Sequence, residues 1–165
     1  MTDSFSAFSI PTPIDGQDWH ELLTVTTKKD VETVDNTVTN ICIILENDGF
    51  LKGRLRYNAF TDNIERGEMP WGDAGNWCDR DTAEIRRYLE TYRKSGFQRD
   101  KIREALLLVA CRHEYHPVRD YLASLVCDGI PRLEGLFVRH LATDDTELMR
   151  QASVVTMVKA VQRIM

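Results

Sequence analysis

The chain has 165 residues, 42% of them hydrophobic and 28% charged, with a formal net charge of −5. That length suits one domain, or one and a half, with a sizeable core, and the lack of any run of about eighteen apolar residues excludes a membrane-spanning helix. The acidic balance repels phosphate, so contact with nucleic acid requires a local basic patch.

Residues Met1–Gly16 hold Pro11, Pro13 and Gly16 without periodicity and lack the basic and apolar regions of a secretory signal. They are expected to form a mobile tail that docks, if at all, through Phe5, Phe8 and Ile10. Leu22–Thr27 is short and β-branched, which predicts an edge strand. Asp35 and Asn36 are candidate caps for a helix running to Asn47, with Val38, Ile41, Cys42 and Leu45 on its buried face. Arg54–Tyr57 and Asn63–Arg66 read as a hairpin around Thr61-Asp62-Asn63, followed by a Gly- and Pro-rich loop over 67–76.

From Asp79 onward every element reads as helical. Asp81 and Glu84 mark a helix start, Ile85, Tyr88, Leu89 and Tyr92 give its apolar face, and Ser95-Gly96 stops it. Asp100–His113 carries an apolar stripe too broad for a surface helix, so it is expected to be the central core helix. Pro117 opens a helix ending near Asp128-Gly129, Pro131 opens another ending near Ala142, and Asp144 with Glu147 caps the last. Val154, Met157, Val158, Val161, Ile164 and Met165 keep helical spacing to the final residue with no stop signal, which reads as a module cut from a longer protein. The expected fold class is therefore mainly α, a multi-helix bundle with a small N-terminal strand and hairpin. Its expected parts are a tail over 1–16, an α+β subdomain over 17–76 and a helical subdomain over 77–165.

No complete active site accompanies these elements. The sequence contains no G-x-S-x-G and no G-x-x-x-x-G-K-[ST] loop, and its carboxylates cluster where helix starts favour negative charge. Cys111, His113, Glu114 and His116 lie close in sequence, but the two histidines are spaced wrongly for a helical H-E-x-x-H site, so a metal-dependent hydrolase at His113 and His116 is the weakest alternative. Cys42, Cys78, Cys111 and Cys127 show no paired spacing and read as buried free thiols of a cytoplasmic protein. Basic residues concentrate at Lys52, Arg54 and Arg56, beside Tyr57, Phe60 and Trp71, and again at Arg86, Arg87, Arg93 and Lys94. Aromatic rings among cations can stack bases while phosphates are neutralised. Glu84 and Glu90 among those arginines supply the competing explanation of an internally paired, solvated face.

The same segments fall into a recognisable order. Asn40, LENDGFLKG (Leu45–Gly53, with Asn47), RYNAF (Arg56–Phe60, with Tyr57 and Asn58) and Pro70-Trp71 are followed by DTAEIRRYLE (Asp81–Glu90) and KIREALLLVA (Lys101–Ala110). HPVRDYLASL (His116–Leu125, with Pro117, Arg119 and Asp120), DGIPRLEGLF (Asp128–Phe137, opening on Asp128-Gly129) and HLATDDTELMRQA (His140–Ala152) complete the series. Taken together over residues 19–165, the series resembles the virulence-associated protein E family of prophages and other mobile elements, in the helical region preceding a superfamily 3 type ATPase. The resemblance implies a non-catalytic accessory domain of a replication ATPase, serving ring positioning, oligomer contact or DNA contact. It implies no cofactor in this chain, with ATP and Mg²⁺ expected only in a downstream domain. The implied partners are that ATPase domain or homo-oligomer neighbours, and DNA through Lys52, Arg54, Arg56, Arg86, Arg87, Arg93 and Arg119; a stand-alone DNA-binding module is the alternative. The sequence departs from the family pattern at Cys127, and at Thr156 and Met157, where the family favours Trp.

Overall fold

The computed structural model describes residues 13, 17–28 and 30–164, so all of the expected tail except Pro13 lies outside the described residues. The described residues are 47% helical and 15% strand, with six strands in two sheets. The expected mainly helical bundle is thus corrected to a mixed α+β fold. The strands span only two to four residues each, too few for an alternating pattern to stand out in sequence. The chain divides into two compact units, one ending at Tyr115 and the other starting at His116.

In the first unit, Trp19–Leu22 forms a 3-10 turn capped by Asp18, whose carboxylate accepts from the His20 amide at 3.1 Å. Two antiparallel strands follow, β1 (Val25–Lys28) and β2 (Val31–Val34), with Lys28 paired to Val31. The expected edge strand over Leu22–Thr27 therefore begins later and belongs to a hairpin. Its tight turn places Asp30 at φ 58°, a conformation Asp tolerates better than most residues, without the Asn-Gly or Asp-Gly pair that usually announces such turns.

Helix α1 (Val38–Asn47) is capped by the Thr37 hydroxyl, which accepts from the Asn40 amide at 3.2 Å; neither Asp35 nor Asn36 fills that role. Residues Asn40–Leu45 are all buried, so α1 is enclosed well beyond the single face expected. Full burial of each of its isoleucines is worth roughly 1.5–3 kcal/mol. The expected hairpin forms as β3 (Leu55–Asn58) and β4 (Asn63–Arg66), but it is the centre of a larger sheet. Strand β5 (Gly75–Asn76) pairs with β4, and β6 (Glu114–Tyr115) runs parallel to β3, giving the order β5-β4-β3-β6. Between β5 and β6 the chain forms α2 (Asp79–Leu89) and α3 (Arg99–Arg112). Helix α3 packs against both α1 and β3. It buries Ile102, Ala105, Leu106, Val109 and Ala110, while Leu107 and Leu108 remain exposed. It is the core helix, but its apolar stripe is wider than the core it covers.

The second unit contains α4 (Pro117–Ser124), α5 (Leu136–Leu141) and α6 (Glu147–Gln162), with α5 packed on α6. The helices around Pro117 and Pro131 are shorter than the punctuation predicts, and α6 is capped by Thr146, not Asp144. Among the described residues no helix is long and apolar enough to cross a membrane. The cysteines are all unpaired, but only Cys42 is buried; Cys78, Cys111 and Cys127 are exposed, which corrects the expectation of buried thiols.

Asn40 fastens the hairpin to α1. Its Oδ1 accepts from the Thr24 amide at 3.0 Å, and its Nδ2 donates to the carbonyls of Thr24 and Asp35 at 2.8 and 3.0 Å. Asn40→Ala is expected to cost about 2 kcal/mol by stranding these backbone groups. Urea denaturation should show this as a lower midpoint with an unchanged slope.

Candidate nucleic-acid interface

Strand β3 alternates. Leu55 is buried and Tyr57 packs against the core, paired across the ladder with Ile64, which also packs there. Arg56 and Asn58 therefore lie on the face turned away from the core. Cross-strand pairing puts Glu65 opposite Arg56, and Tyr115 of β6 opposite Asn58. Gly67 lies beside Arg54, where a Cβ would sit 3.6 Å from that of Arg54. Gly53, Arg54, Arg56, Glu65, Arg66, Gly67, Ala74 and Tyr115 line a depression of about 240 Å³.

Its floor is a polar network. Asn58 Nδ2 donates to Glu65 Oε1 at 2.7 Å, and the Tyr115 hydroxyl donates to Glu65 Oε2. The Asn58 and Tyr115 hydrogen bonds, with the Arg56 charge nearby, hold the Glu65 carboxyl below its usual range. Asn58 Oδ1 accepts from the amides of Phe60 and Thr61 at 3.0 and 3.3 Å, which fixes the turn between β3 and β4. The Tyr57 hydroxyl donates to Asp62, and that bond pushes its pKa up to about 12.

The candidate cations separate into groups. Arg54 and Arg56 line the sheet depression, and Arg54 also donates to the Glu68 carbonyl; Arg66 borders it too but gives its guanidinium to buried Asp81. Lys52 is exposed in the turn before β3 and does not line that depression. Arg86 and Arg87 line a second hollow of about 450 Å³ with Arg99, Asp79 and Glu90, and Arg87 pairs with Glu84 at 3.1 Å. Arg93 is a brace: its guanidinium donates to the carbonyls of Val34 and Gly96 at 2.7 and 2.9 Å. Arg119 belongs to the second unit and donates to the Ile164 carbonyl at 3.2 Å.

The other motif residues carry structure. Asn47 Nδ2 donates to the Ile43 carbonyl at 2.8 Å. His116 caps α4, accepting from the Arg119 amide at 3.1 Å, with Pro117 and Asp120 in the first turn. Asp128 accepts from the Ile130 amide at 3.0 Å and pairs with Arg132 at 2.7 Å, and Gly129 takes a φ of 74° that suits glycine. His113 lies 3.4 Å from Glu46, and among the described residues no three His, Cys, Asp or Glu side chains group as a metal site.

Two buried carboxylates escaped the sequence reading as tertiary centres. Asp48 accepts from the Tyr88 hydroxyl at 2.9 Å and from that of Tyr92, and burial followed by this contact raises Tyr88 to about 12. Asp81 is 1% exposed, accepts from the Cys78 amide at 2.9 Å and from Trp71 Nε1 at 3.1 Å, and lies 2.8 Å from Arg66 Nε. Burial pushes the Asp81 carboxyl up, but the bonds from Cys78, Arg66 and Trp71 outweigh it and hold the group below the usual carboxylate range. Nothing local in the sequence pairs Asp81 with Arg66 or Trp71. The sequence signal placed Asp81 with Glu84 at a helix start, whereas Asp81 is the third residue of α2 and closes a capping box with Cys78.

No protein-family model matches the sequence, and no curated protein matches it.

Asp81→Asn leaves the Arg66 guanidinium, itself 15% exposed, without its counter-charge. The expected loss is about 3 kcal/mol. Because the folded pKa of Asp81 lies below its unfolded value near 4, its contribution is present above that value and disappears as pH falls through the folded one. Unfolding free energies measured from pH 7 to pH 2.5 should therefore decline less steeply in Asp81→Asn than in the wild type.

Proposed function

We propose that this protein is a non-catalytic, cytoplasmic, DNA-contacting accessory module of a mobile-element replication ATPase. The observation that carries the reading is the side-by-side placement of Arg54 and Arg56 on the outer sheet face, beside the Tyr115 ring. Guanidinium groups in that arrangement neutralise successive phosphates, and an adjoining aromatic ring offers a platform for a base. The ordered segments from Asn40 to Ala152 that resemble the virulence-associated protein E family support the replication context. In this reading ATP is bound and hydrolysed by a partner domain or subunit, and this chain holds DNA near it.

The chain's net charge of −5 makes the interaction local and salt-sensitive. Fluorescence anisotropy with single-stranded and forked DNA should show binding that weakens steeply from about 50 to 200 mM salt. Arg54→Gln/Arg56→Gln should reduce the salt slope by about 2, whereas Arg93→Gln should lower stability without a comparable change in slope. Failure of the wild-type chain to bind either DNA at low salt, or an unchanged slope in the double variant, would remove the reading.

A further inference from the structure

Glu65 is out of place on a face that neutralises phosphate, because an acid there repels the backbone it adjoins. It lines the same depression of about 240 Å³ as Arg54 and Arg56. Although it stands opposite Arg56 across the ladder, its carboxylate is bonded to Asn58 Nδ2 at 2.7 Å and to the Tyr115 hydroxyl. Both donors come from β3 and β6, on one side of β4. Asn58 is a fixed support: it is 5% exposed, and its Oδ1 is held by the Phe60 and Thr61 amides. Each carboxylate oxygen can accept two hydrogen bonds, and each receives one from these donors, so Glu65 is engaged but not saturated. The group is half-buried and remains ionised at neutral pH.

We infer that Glu65 reads an unpaired guanine in a DNA strand held by Arg54 and Arg56, its carboxylate accepting from guanine N1–H and the 2-amino group. The inference rests on the DNA-contact reading above and assigns that site a base. Guanine alone among the DNA bases presents two adjacent donors on its pairing edge. Thymine flanks its single N–H with two carbonyls, while adenine and cytosine set one amino group beside a bare ring nitrogen. A carboxylate is a pair of acceptors with no donor, so it matches guanine at both atoms and opposes a lone pair at each of the others. Its charge strengthens both bonds. In a duplex the same edge is already bonded to cytosine, so the guanine that is read must be unpaired. The depression has room for one base and none for a duplex. Tyr115, held through its hydroxyl by Glu65 itself, places its ring where that base can stack. Arg54 and Arg56 offset the repulsion between the acid and the flanking phosphates.

Fluorescence anisotropy of the whole chain tests this with short oligo-dT strands, each carrying one central guanine, hypoxanthine, adenine or cytosine. The wild type is expected to bind the guanine strand about tenfold more tightly than the adenine and cytosine strands. Hypoxanthine keeps N1–H but lacks the 2-amino group, so it should lose most of that preference. Annealing a complementary strand should abolish it. Glu65→Gln should erase the guanine preference and leave the salt slope, which counts phosphate contacts, unchanged. A Glu65 that only supports Asn58 and Tyr115 would instead weaken every strand alike in this variant, and that result overturns the inference. Equal wild-type affinity for all four strands, with the salt dependence intact, overturns the guanine assignment and leaves the DNA contact standing. Absence of binding to every strand at low salt removes both. Free dGMP presents the same edge, and its displacing the guanine strand at that strand's own dissociation constant would overturn the assignment to a strand.

Discussion

Six consecutive residues of α1, Asn40 to Leu45, are almost wholly removed from water, and a helix reaches that state only when it is walled on more than one side. Helix α3 and the Trp19–Leu22 turn supply two of those walls. The same α3 also packs on β3, so burying α1 positions the sheet as well. Asn40, the one polar side chain in that run, finds its partners only where the ends of the β1–β2 hairpin come down beside it. A buried amide without those carbonyls and that amide donor would be costly, so hairpin, helix and sheet are placed by one requirement.

The sheet then sorts its residues by side. Leu55, Tyr57 and Ile64 face the core, which leaves Arg56, Glu65 and Tyr115 on the outer face. Charge is handled differently on the two sides. Toward the interior, Asp81 and Arg66 neutralise each other and gather Cys78 and Trp71 around them. Outside, Glu65 is engaged by Asn58 and Tyr115, so the one acid lining the depression is occupied while Arg56 stays exposed beside it. The proposed DNA contact on the outer face rests on this division more than on the number of basic residues. Arg93 shows why counting cations misleads: its guanidinium spends its donors on two backbone carbonyls.

The second unit obeys a different logic. Its local signals are satisfied, with His116, Thr146 and Asp128 each bonding a nearby backbone amide, yet no apolar side chain among its described residues is fully buried. Caps and turns define where helices start; they contribute little free energy compared with burial. A unit gains most of its stability by covering apolar surface, and here Val126, Leu141, Leu148 and Val155 are among the apolar residues left exposed.

Local chemistry was legible from the sequence alone. The spans of α1 and α3 and the β3–β4 hairpin follow from apolar spacing and turn residues, because each depends on neighbours within a few residues, whereas α2 ends at Leu89, short of the expected stop at Ser95-Gly96. The basic pair Arg54 and Arg56 was legible for the same reason, since two residues apart on a strand means one face. The α+β character was not, because β5 and β6 are two residues long and exist only through their ladder partners. Nor were the partners of Asp48 and Asp81, or the brace role of Arg93, since hydrogen bonds between residues far apart in sequence leave no local pattern. Sequence by itself determined which segments carry helix and turn signals and which residues carry charge. Tertiary structure alone decided which charges are consumed inside and which remain outside, because that depends on the burial and partners that only packing creates.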